Sequence, residues 1–357
     1  MRSMRGKRTA AISVTCGLAL FVAACGEAPQ EDATEEKDFK GCMVTDMGGL
    51  DDRSFNTSAW AGMQNAEKKD PSIQIVPKES KAQSDYETNL QDLIAQDCDL
   101  ILAVGGLMTD ALAVVAEENP DQQFAIVDSS LVMDNVYAME FNTAQSSFLA
   151  GYVAAGVSKT GKVATFGGLN IPSVTIFMDG YYEGVQYYNE ENDTNVEVLG
   201  WDPNKGKEGE GVFAESFDDT GIGTEISRTF IEQGADVVFP VAGKTGVGAP
   251  TVTAEDPDQH SIWVDTDGRD SVPEYADEFL TTSVKNITGA VEDLLIAAAS
   301  GKPLTGRSVG TLENEGVSVA EFNDAVNEEL TEKVNAVKQK IIDGEIVIES
   351  KKQPTAE

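Results

Sequence analysis

The chain has 357 residues, with 61 acidic residues against 26 lysines and arginines and a formal net charge of −35. A surface this acidic repels phosphates and anionic lipids, which argues against nucleic-acid binding and against recognition of a free nucleotide. The length is sufficient for two domains of ordinary size.

Residues 1–24 have the pattern of a secretion signal. Basic residues precede an apolar stretch, Ala10 to Val22, that is shorter than the about 20 residues needed to cross a bilayer. It runs into Val22-Ala23-Ala24-Cys25-Gly26, which resembles a bacterial lipobox. We therefore expect cleavage before Cys25 and lipidation of that cysteine, leaving a net charge of −39 because the removed residues carry four positive charges and no acid. The alternative is an ordinary signal peptide with an incidental cysteine.

A polar, acidic segment follows. Residues 26–38 (GEAPQEDATEEKD) have almost no large apolar side chains. Such a segment cannot bury enough surface to offset its chain entropy, so we predict a lipid-anchored, disordered tether over residues 25–39. A lipid, a tether and then a folded body are the layout of a protein held at the extracytoplasmic face of the cell membrane.

From Gly41 the sequence alternates short apolar runs with amphipathic stretches, which predicts strands alternating with helices. Helical spacing begins at Phe55 and ends at Asp70-Pro71, and further stripes follow from Tyr86 and over Thr109 to Glu118. The predicted strands of this first half are Cys42–Val44, Ile73–Val76, Leu100–Val104, Phe124–Val127 and Val136–Phe141.

The same rhythm restarts in the second half. Helices are predicted from about Ser173 to Asn189 and from Gly223 to Gln233, between the strands Val163–Phe166, Val196–Leu199, Val237–Val241 and Ile262–Val264. Alternation of this kind predicts a parallel sheet covered on both faces. Because it occurs twice, the fold class is α/β with two similar, doubly wound lobes. The remaining elements are a strand at Phe279–Val284, a helix at Asn286–Ala299, a strand pair around Val309–Leu312 and Gly316–Val319, and a last helix that ends at Gly344.

Cys42 and Cys98 are the only cysteines expected in the folded part. Each precedes or begins an apolar run, and they do not have metal-ligand spacing. They are either two core thiols or, because the compartment is oxidising, a disulfide between neighbouring strands.

Small and acidic residues follow the predicted strands. They are Asp46, Gly105-Gly106 and Asp128 in the first half, and Gly167-Gly168, Gly243 and Asp265 in the second. Glycines allow backbone N–H groups to approach a ligand, and aspartates accept hydrogen bonds from it. Ligands bind at the carboxyl ends of parallel strands, so these residues converge on one cleft if the lobes face each other. The alternative is that glycine and aspartate serve only as turn and cap residues.

Several motifs together resemble the basic-membrane-protein family of substrate-binding lipoproteins, which includes the purine nucleoside receptors of bacterial ABC transporters. The motifs include TDMGGLDDRSFN at 45–56, ILAVGGL at 101–107, SFLAGYVAA at 147–155, FMDG at 177–180, SFDD at 216–219 and VDTD at 264–267. The resemblance implies a type I periplasmic-binding-protein-like fold whose chain crosses three times between lobes, here near Phe141-Asn142, Asp265 to Gly268, and Pro303. The lobes would then be residues 40–141 plus 268–303 and residues 142–267 plus 304–357, with the ligand between them.

The resemblance also implies roles for individual residues. A nucleoside base would stack between Phe55 and Phe217, Asp46 and Asp128 would accept hydrogen bonds from its edge, and Asp265 and Lys285 would hold the ribose. Lesser contacts are Asn56, Gly243 and Asp267. Gly105 and Gly106 are predicted to contact the ligand because they follow a strand. Each has a structural alternative: Phe55 and Phe217 as packing residues, Lys285 as a surface lysine, and Phe177 as a helix-packing residue rather than a ligand contact.

One position departs from the family pattern. Gly243-Lys244-Thr245 stands where a double glycine is expected, so Lys244 is predicted to narrow or recharge the floor of the cleft. The Gly-Lys-Thr is not a P-loop, because Val238 occupies the position of the required first glycine.

The resemblance implies that the protein captures an uncharged purine nucleoside by lobe closure and delivers it to ABC permease subunits, as a monomer without cofactor or metal. Riboflavin or a sugar are alternative ligands, and a ligand sensor is an alternative role. An extracytoplasmic nucleoside-processing enzyme is disfavoured because His260, the only histidine, precedes a strand, so no nucleophile has a histidine partner.

Overall fold

Two six-stranded sheets with the same strand order organise residues 39–354, which are the residues that this computed structural model describes. The predicted signal sequence, Cys25 and the tether up to residue 38 lie outside the described residues. Within residues 39–354, no helix combines the length and the apolar character needed to cross a membrane.

The first sheet is entirely parallel and has the order β13-β5-β4-β3-β1-β2. Its strands are β1 (Phe39–Val44), β2 (Ile73–Lys78), β3 (Leu100–Val104), β4 (Gln123–Val127), β5 (Val136–Phe141) and β13 (Arg307–Gly310). Its helices are α1 (Phe55–Lys69), α2 (Tyr86–Ile94), α3 (Thr109–Glu118) and α9 (Ile287–Ala299). We call this unit the first lobe.

Alternate residues of these strands enter two separate cores. Along β3, Leu100, Leu102 and Val104 pack into the core beneath α1 and α9, whereas Ile101 and Ala103 pack into the core beneath α2 and α3. The strands are therefore apolar on both faces, as expected for a sheet covered by helices on both sides.

The second sheet has the order β14-β12-β11-β10-β6-β7 and is parallel except for its edge strand β14. Its strands are β6 (Lys162–Gly167), β7 (Glu197–Leu199), β10 (Val237–Val241), β11 (His260–Asp265), β12 (Phe279–Lys285) and β14 (Val317–Val319). Its helices are α4 (Thr143–Val157), α5 (Pro172–Asn192), α6 (Thr220–Glu232), α7 (Gly248–Thr253), α8 (Gly268–Ser271) and α10 (Glu328–Ile342). A short antiparallel ribbon, β8 (Trp201–Asp202) and β9 (Glu210–Gly211), completes this second lobe.

The chain crosses three times between the lobes, which confirms the predicted fold class. It crosses between β5 and α4, as predicted near Phe141-Asn142, then between β12 and α9, and finally between β13 and β14. The three crossings lie side by side, since Asn142 N donates to Gly310 O and Asn286 N donates to Gly316 O. This bundle of three segments is the hinge.

Two of the predicted crossings, and with them the lobe boundaries, are wrong. Residues 268–285 belong to the second lobe because β12 pairs with β11, and β13 belongs to the first lobe because it pairs with β5. For the same reason, the segments around Val309 and Val317 are not a strand pair. The first lobe is therefore 39–141 plus 286–310, and the second is 142–285 plus 317–354.

Cys42 and Cys98 form a disulfide, with their Cα atoms 6.0 Å apart. Cys42 lies on β1, and Cys98 immediately precedes β3, the strand that pairs with β1. Both are buried. Of the two readings that the sequence leaves open, the structure contains the disulfide.

Candidate functional site

The carboxyl ends of the two sheets face each other across a cavity. Nine of the ten ligand-binding residues predicted from the sequence line it, and they come from both lobes. They are Asp46, Phe55, Gly105, Gly106, Asp128, Phe217, Gly243, Asp265 and Lys285. The tenth, Asn56, does not line the cavity.

The lobes are close together in this structure. The cavity has a volume of about 60 Å³, well below the about 300–1,000 Å³ of typical small-molecule sites. Beyond Asp128 and Lys285 it adjoins a wider space of about 450 Å³ on the hinge side. A ligand with a planar ring and a sugar therefore requires the lobes to separate or the Lys285 side chain to move.

Asp46 lies in the loop after β1 and is held by two hydrogen bonds. Asn56 Nδ2 donates to Asp46 Oδ1 at 2.7 Å, and Gly48 N donates to the same oxygen at 2.9 Å. Burial raises the pKa of Asp46 to about 6, while these two donors oppose the rise. Asn56 thus orients Asp46 from behind instead of lining the cavity.

Asp52 is a site residue that the sequence interpretation missed. Its carboxylate is buried and accepts hydrogen bonds from the backbone N–H groups of Ser54 (3.0 Å), Asn56 (2.7 Å) and Thr57 (3.0 Å). It therefore caps the start of α1, while burial raises the pKa of Asp52. An aspartate three residues before a helical stripe is a capping pattern that could have identified it.

Each of the two predicted stacking rings rests against a glycine at a strand end. A Cβ atom on Gly105 would lie 3.5 Å from the Phe55 ring, and one on Gly168 would lie 2.3 Å from the Phe217 ring. Only glycine permits the second of these contacts. Phe55 and Phe217 are half-buried and line the cavity from opposite lobes.

Lys285 ends β12 at the hinge and is buried, so it is not a surface lysine. Its Nζ atom lies 2.6 Å from Asp128 Oδ2 and 3.7 Å from Asp265 Oδ1. The same atom lies 4.9 Å from the ring centroid of Phe55 and 5.0 Å from that of Phe177, within the range of cation–π attraction. Phe177, expected only to pack within its helix, lines the cavity as well.

Asp265 faces the cavity from the end of β11. Burial raises the pKa of Asp265 to about 6, and the Lys285 ammonium opposes that rise. Since Asp46 and Asp265 both have a pKa of about 6, a modest change in the groups around either carboxyl alters its charge near neutral pH.

Two other candidates do not line the cavity. Asp267 caps the short helix α8 and pairs with Arg269 at 2.6 Å. The Lys244 side chain is exposed and pairs with Asp218 at 2.7 Å, so the prediction that it narrows or recharges the cleft floor is wrong. Its neighbour Gly243, which has φ +54°, does line the cavity.

The groups that line the cavity can hold a ligand by non-covalent contacts. Aromatic faces, carboxylate acceptors and one ammonium line the cavity, a set that suits a planar ligand carrying N–H and O–H groups. His260 is the first residue of β11, at the opposite end of the strand from Asp265. Among residues 39–354, no cluster of three or more histidine, cysteine, aspartate or glutamate side chains is arranged to hold a metal ion.

Comparison with known proteins gives a consistent picture. A family model described as "ABC transporter substrate-binding protein PnrA-like" matches residues 39–352. The CD4+ T-cell-stimulating antigen of Listeria monocytogenes is 32% identical over 97% of this chain and 99% of its own length. The ABC transporter nucleoside-binding protein BmpA of Lactococcus lactis is 30% identical over the same shares of the two chains. Basic membrane protein A of Borreliella burgdorferi is 30% identical over 86% of each chain.

Solved structures share the fold. An ABC transporter solute-binding protein from Aeropyrum pernix superimposes with a TM-score of 0.77 at 24% identity, covering 87% of this chain and 92% of that one. A similar protein from Conexibacter woesei gives a TM-score of 0.67 at 20% identity, over 87% and 99% of the two chains. Both are type I periplasmic-binding-protein-like solute-binding proteins. From the family match over nearly the whole described body, the chain belongs to the Bmp family of PnrA-like ABC transporter substrate-binding proteins.

Proposed function

We propose that this chain is the lipid-anchored substrate-binding protein of an ABC importer and that it captures a neutral nucleoside, a purine nucleoside above all, between its lobes. The observation that carries the proposal is that Phe55 from the first lobe and Phe217 from the second line one cavity that is also lined by buried carboxylates. The name of the Lactococcus lactis relative, a nucleoside-binding protein, supports the same ligand class.

Stacking is the least selective part of this recognition. A base that stacks on an aromatic side chain gains about 1–3 kcal/mol, with little preference for a particular base. The Lys285 ammonium lies over the face of Phe55, so a base that stacks on this face must displace it.

The carboxylates provide the selective part. Asp46 and Asp128 accept hydrogen bonds from N–H groups on the base edge, and Asp265 with Lys285 holds the ribose hydroxyls. Charge-assisted hydrogen bonds of this kind are the stronger ones. The net negative cavity excludes a phosphate, so a nucleoside is favoured over a nucleotide.

Ligand capture and transport follow from the hinge. A ligand that contacts both lobes favours the closed arrangement, because only that arrangement provides both sets of contacts. We expect a monomer that presents its closed form to the permease subunits.

The anchor is the lipidated Cys25, followed by the acidic tether. Growth with an alkyne-labelled fatty acid should label the wild type but not a Cys25→Ser variant, and that variant should leave the membrane fraction. A wild-type protein that stays in the membrane fraction but is not labelled would contradict lipidation of Cys25. It would leave the proposal about the ligand unchanged.

Calorimetry on the processed chain in mild detergent tests the ligand class. Adenosine, guanosine and inosine should bind, uridine and cytidine more weakly, and Phe55→Ala and Phe217→Ala should each weaken binding at least about tenfold. Phe322→Ala, which removes a half-buried ring outside the cavity, is the matched control. Binding of riboflavin or a simple sugar with no nucleoside binding would overturn the proposal in favour of those ligands.

A further inference from the structure

The hydroxyl of Ser54 is buried in the cleft without a hydrogen-bond partner. Ser54 lines the cavity, its side chain is inaccessible to solvent, and its Oγ atom makes no hydrogen bond to any of residues 39–354. Native proteins pair nearly all buried hydroxyls, so an unpaired one in a binding cleft calls for an explanation.

The backbone of the same residue is fully paired. Ser54 N donates to Asp52 Oδ1 at 3.0 Å, and Ser54 O accepts from Ser58 N at 3.0 Å and from Ser58 Oγ at 2.5 Å. The Asp52 cap and the first turn of α1 therefore hold Ser54 in place, and only its hydroxyl remains available to a ligand.

The group opposite Ser54 belongs to the other lobe. The Asp265 carboxyl lies beside the Ser54 hydroxyl: burial raises the pKa of Asp265, and the interaction with that hydroxyl opposes the rise only slightly. Asp265 has φ +68°, an uncommon conformation for a residue other than glycine, and it clusters with Lys285. The Ser54 hydroxyl of the first lobe, which can donate and accept a hydrogen bond, thus faces the Asp265 carboxylate of the second lobe, which only accepts.

This pair is complementary to one kind of group. A carboxylate only accepts hydrogen bonds, whereas a serine hydroxyl can donate one as well. A ligand hydroxyl can donate to Asp265 and accept from Ser54 at the same time. An ammonium group could satisfy only the acceptors, and a carbonyl could satisfy only the donor.

We propose that Ser54 is a specificity-determining residue that, together with Asp265, recognises the 2′- or the 3′-hydroxyl of the ligand's ribose. This inference rests on the proposed nucleoside function and deepens it. Because Ser54 precedes the stacking residue Phe55 in one capped loop, the first lobe contacts both the base and the sugar. Removal of that sugar hydroxyl should therefore weaken binding, and should do so through Ser54.

A cycle of protein variants and ligand analogues tests the inference. Inosine, 2′-deoxyinosine and 3′-deoxyinosine are titrated calorimetrically into the processed chain, its Ser54→Ala and Ser54→Cys variants, and Ser227→Ala. Ser227→Ala is the matched control because it removes a buried serine hydroxyl that already donates to the carbonyl oxygen of Gly223 and lies outside the cavity. Thermal unfolding checks that each variant is folded.

The wild type should prefer inosine to one of the two deoxy analogues. Ser54→Ala should weaken inosine binding about three- to tenfold and binding of that analogue less than about twofold. Ser54→Cys should change the ratio in the same direction, and Ser227→Ala should leave it unchanged. Equal weakening of all three ligands in Ser54→Ala, or no change, would overturn the role of Ser54 while the proposed function stands. A wild type that binds none of the three, and neither adenosine nor guanosine, would overturn the proposed function itself, and this inference with it.

Discussion

Asp128 and Asp265 occupy equivalent positions in the two lobes and face the same ammonium group, that of Lys285. Asp128 directly follows β4 and Asp265 ends β11, and these are the corresponding strands of two sheets with the same strand order. Both residues have left-handed backbone, with φ +60° and +68°. Lys285 Nζ lies 2.6 Å from one carboxylate and 3.7 Å from the other. One buried cation thus links a strand end of each lobe.

The charge balance of the cavity depends on that cation. Of the residues in the described part of the chain that line the cavity, Lys285 is the one basic residue, whereas four are aspartates: Asp46, Asp52, Asp128 and Asp265. Buried charges are tolerated when they are paired, and removal of one partner leaves the other uncompensated.

Substitution of Lys285 by methionine should destabilise the protein by about 3–5 kcal/mol at pH 8. The folded-state pKa of Asp265, about 6, already lies above its ordinary value of 3.8, so protonation favours folding. The contribution of Asp265 to the free energy of unfolding is therefore fully present below about pH 4, and it is lost as the pH rises through about 6. Loss of the ammonium raises the pKa of Asp265 further, so the deficit of Lys285→Met should be smaller at pH 5 than at pH 8. Urea unfolding at both pH values measures it.

Lys244→Met is the matched control for that comparison. Lys244 also pairs with an aspartate, Asp218, but the pair is exposed. Exposed pairs contribute about 0–1 kcal/mol, so this variant should unfold nearly as the wild type does at both pH values. A Lys285→Met variant as stable as Lys244→Met would contradict the linking role of Lys285.

Ligand affinity should rise with pH between about 5 and 7. Asp46 and Asp265 each have a pKa of about 6 in the ligand-free protein, and a ligand that donates N–H or O–H bonds requires their ionised forms. Below pH 6 binding must first remove protons, so the dissociation constant of inosine should be at least about tenfold higher at pH 5 than at pH 7.5.

Asp46→Asn distinguishes the contribution of Asp46 to this pH dependence from that of Asp265. It removes one titrating group, so the variant should bind more weakly at pH 7.5 and show a shallower pH dependence. An affinity that stays constant from pH 5 to pH 7.5 in the wild type would show that the ligand binds neither carboxylate in its ionised form.

Local sequence patterns predicted the positions of the strands and helices better than they predicted which lobe each strand or helix belongs to. The strands at Leu100–Val104 and Val237–Val241 have the predicted bounds, because short apolar runs between turn residues specify a buried parallel strand. The alternation of strands and helices, however, does not say which sheet a strand joins. That choice follows from pairing across long chain separations, as between β13 and β5, and so the assignments of β12 and β13 were wrong.

The candidate site shows the same limit. The strand-end residues Asp46, Asp128 and Asp265 were predictable, because parallel strands direct their carboxyl ends to one edge. Asp52 was not recognised, since in a chain with 61 acidic residues one more aspartate carries little information. Its role depends on three backbone N–H groups that meet its carboxylate only after the loop folds.

The disulfide between Cys42 and Cys98 should contribute substantially to stability. It closes a segment with a sequence separation of 56 residues, and cross-links of this kind typically contribute about 2–4 kcal/mol. A Cys42→Ala/Cys98→Ala variant should therefore unfold at a lower urea concentration and keep its affinity for inosine within about twofold, since neither cysteine lines the cavity. Peptide mapping without reductant should recover the two cysteines in one cross-linked peptide. Two separate thiol peptides would contradict the disulfide.

Asp52→Asn should weaken ligand binding although the side chain holds the loop rather than stacking on the base. The Asp52 oxygens accept from the N–H groups of Ser54, Asn56 and Thr57, and Oδ2 also accepts from Asn56 Nδ2, which in turn orients Asp46. An amide replaces one acceptor by a donor that faces other donors, so stability should fall by about 1–3 kcal/mol. Phe55 and Asp46 would lose their fixed positions, and inosine affinity should fall about tenfold because binding must then order the loop.

Asn327→Ala is the matched control, because it removes a comparable cap. The Asn327 side chain accepts a hydrogen bond from Leu330 N on α10, away from the cavity. The substitution should lower stability and leave affinity unchanged. If both variants reduced stability equally and neither changed affinity, Asp52 would be a helix cap with no part in positioning the site.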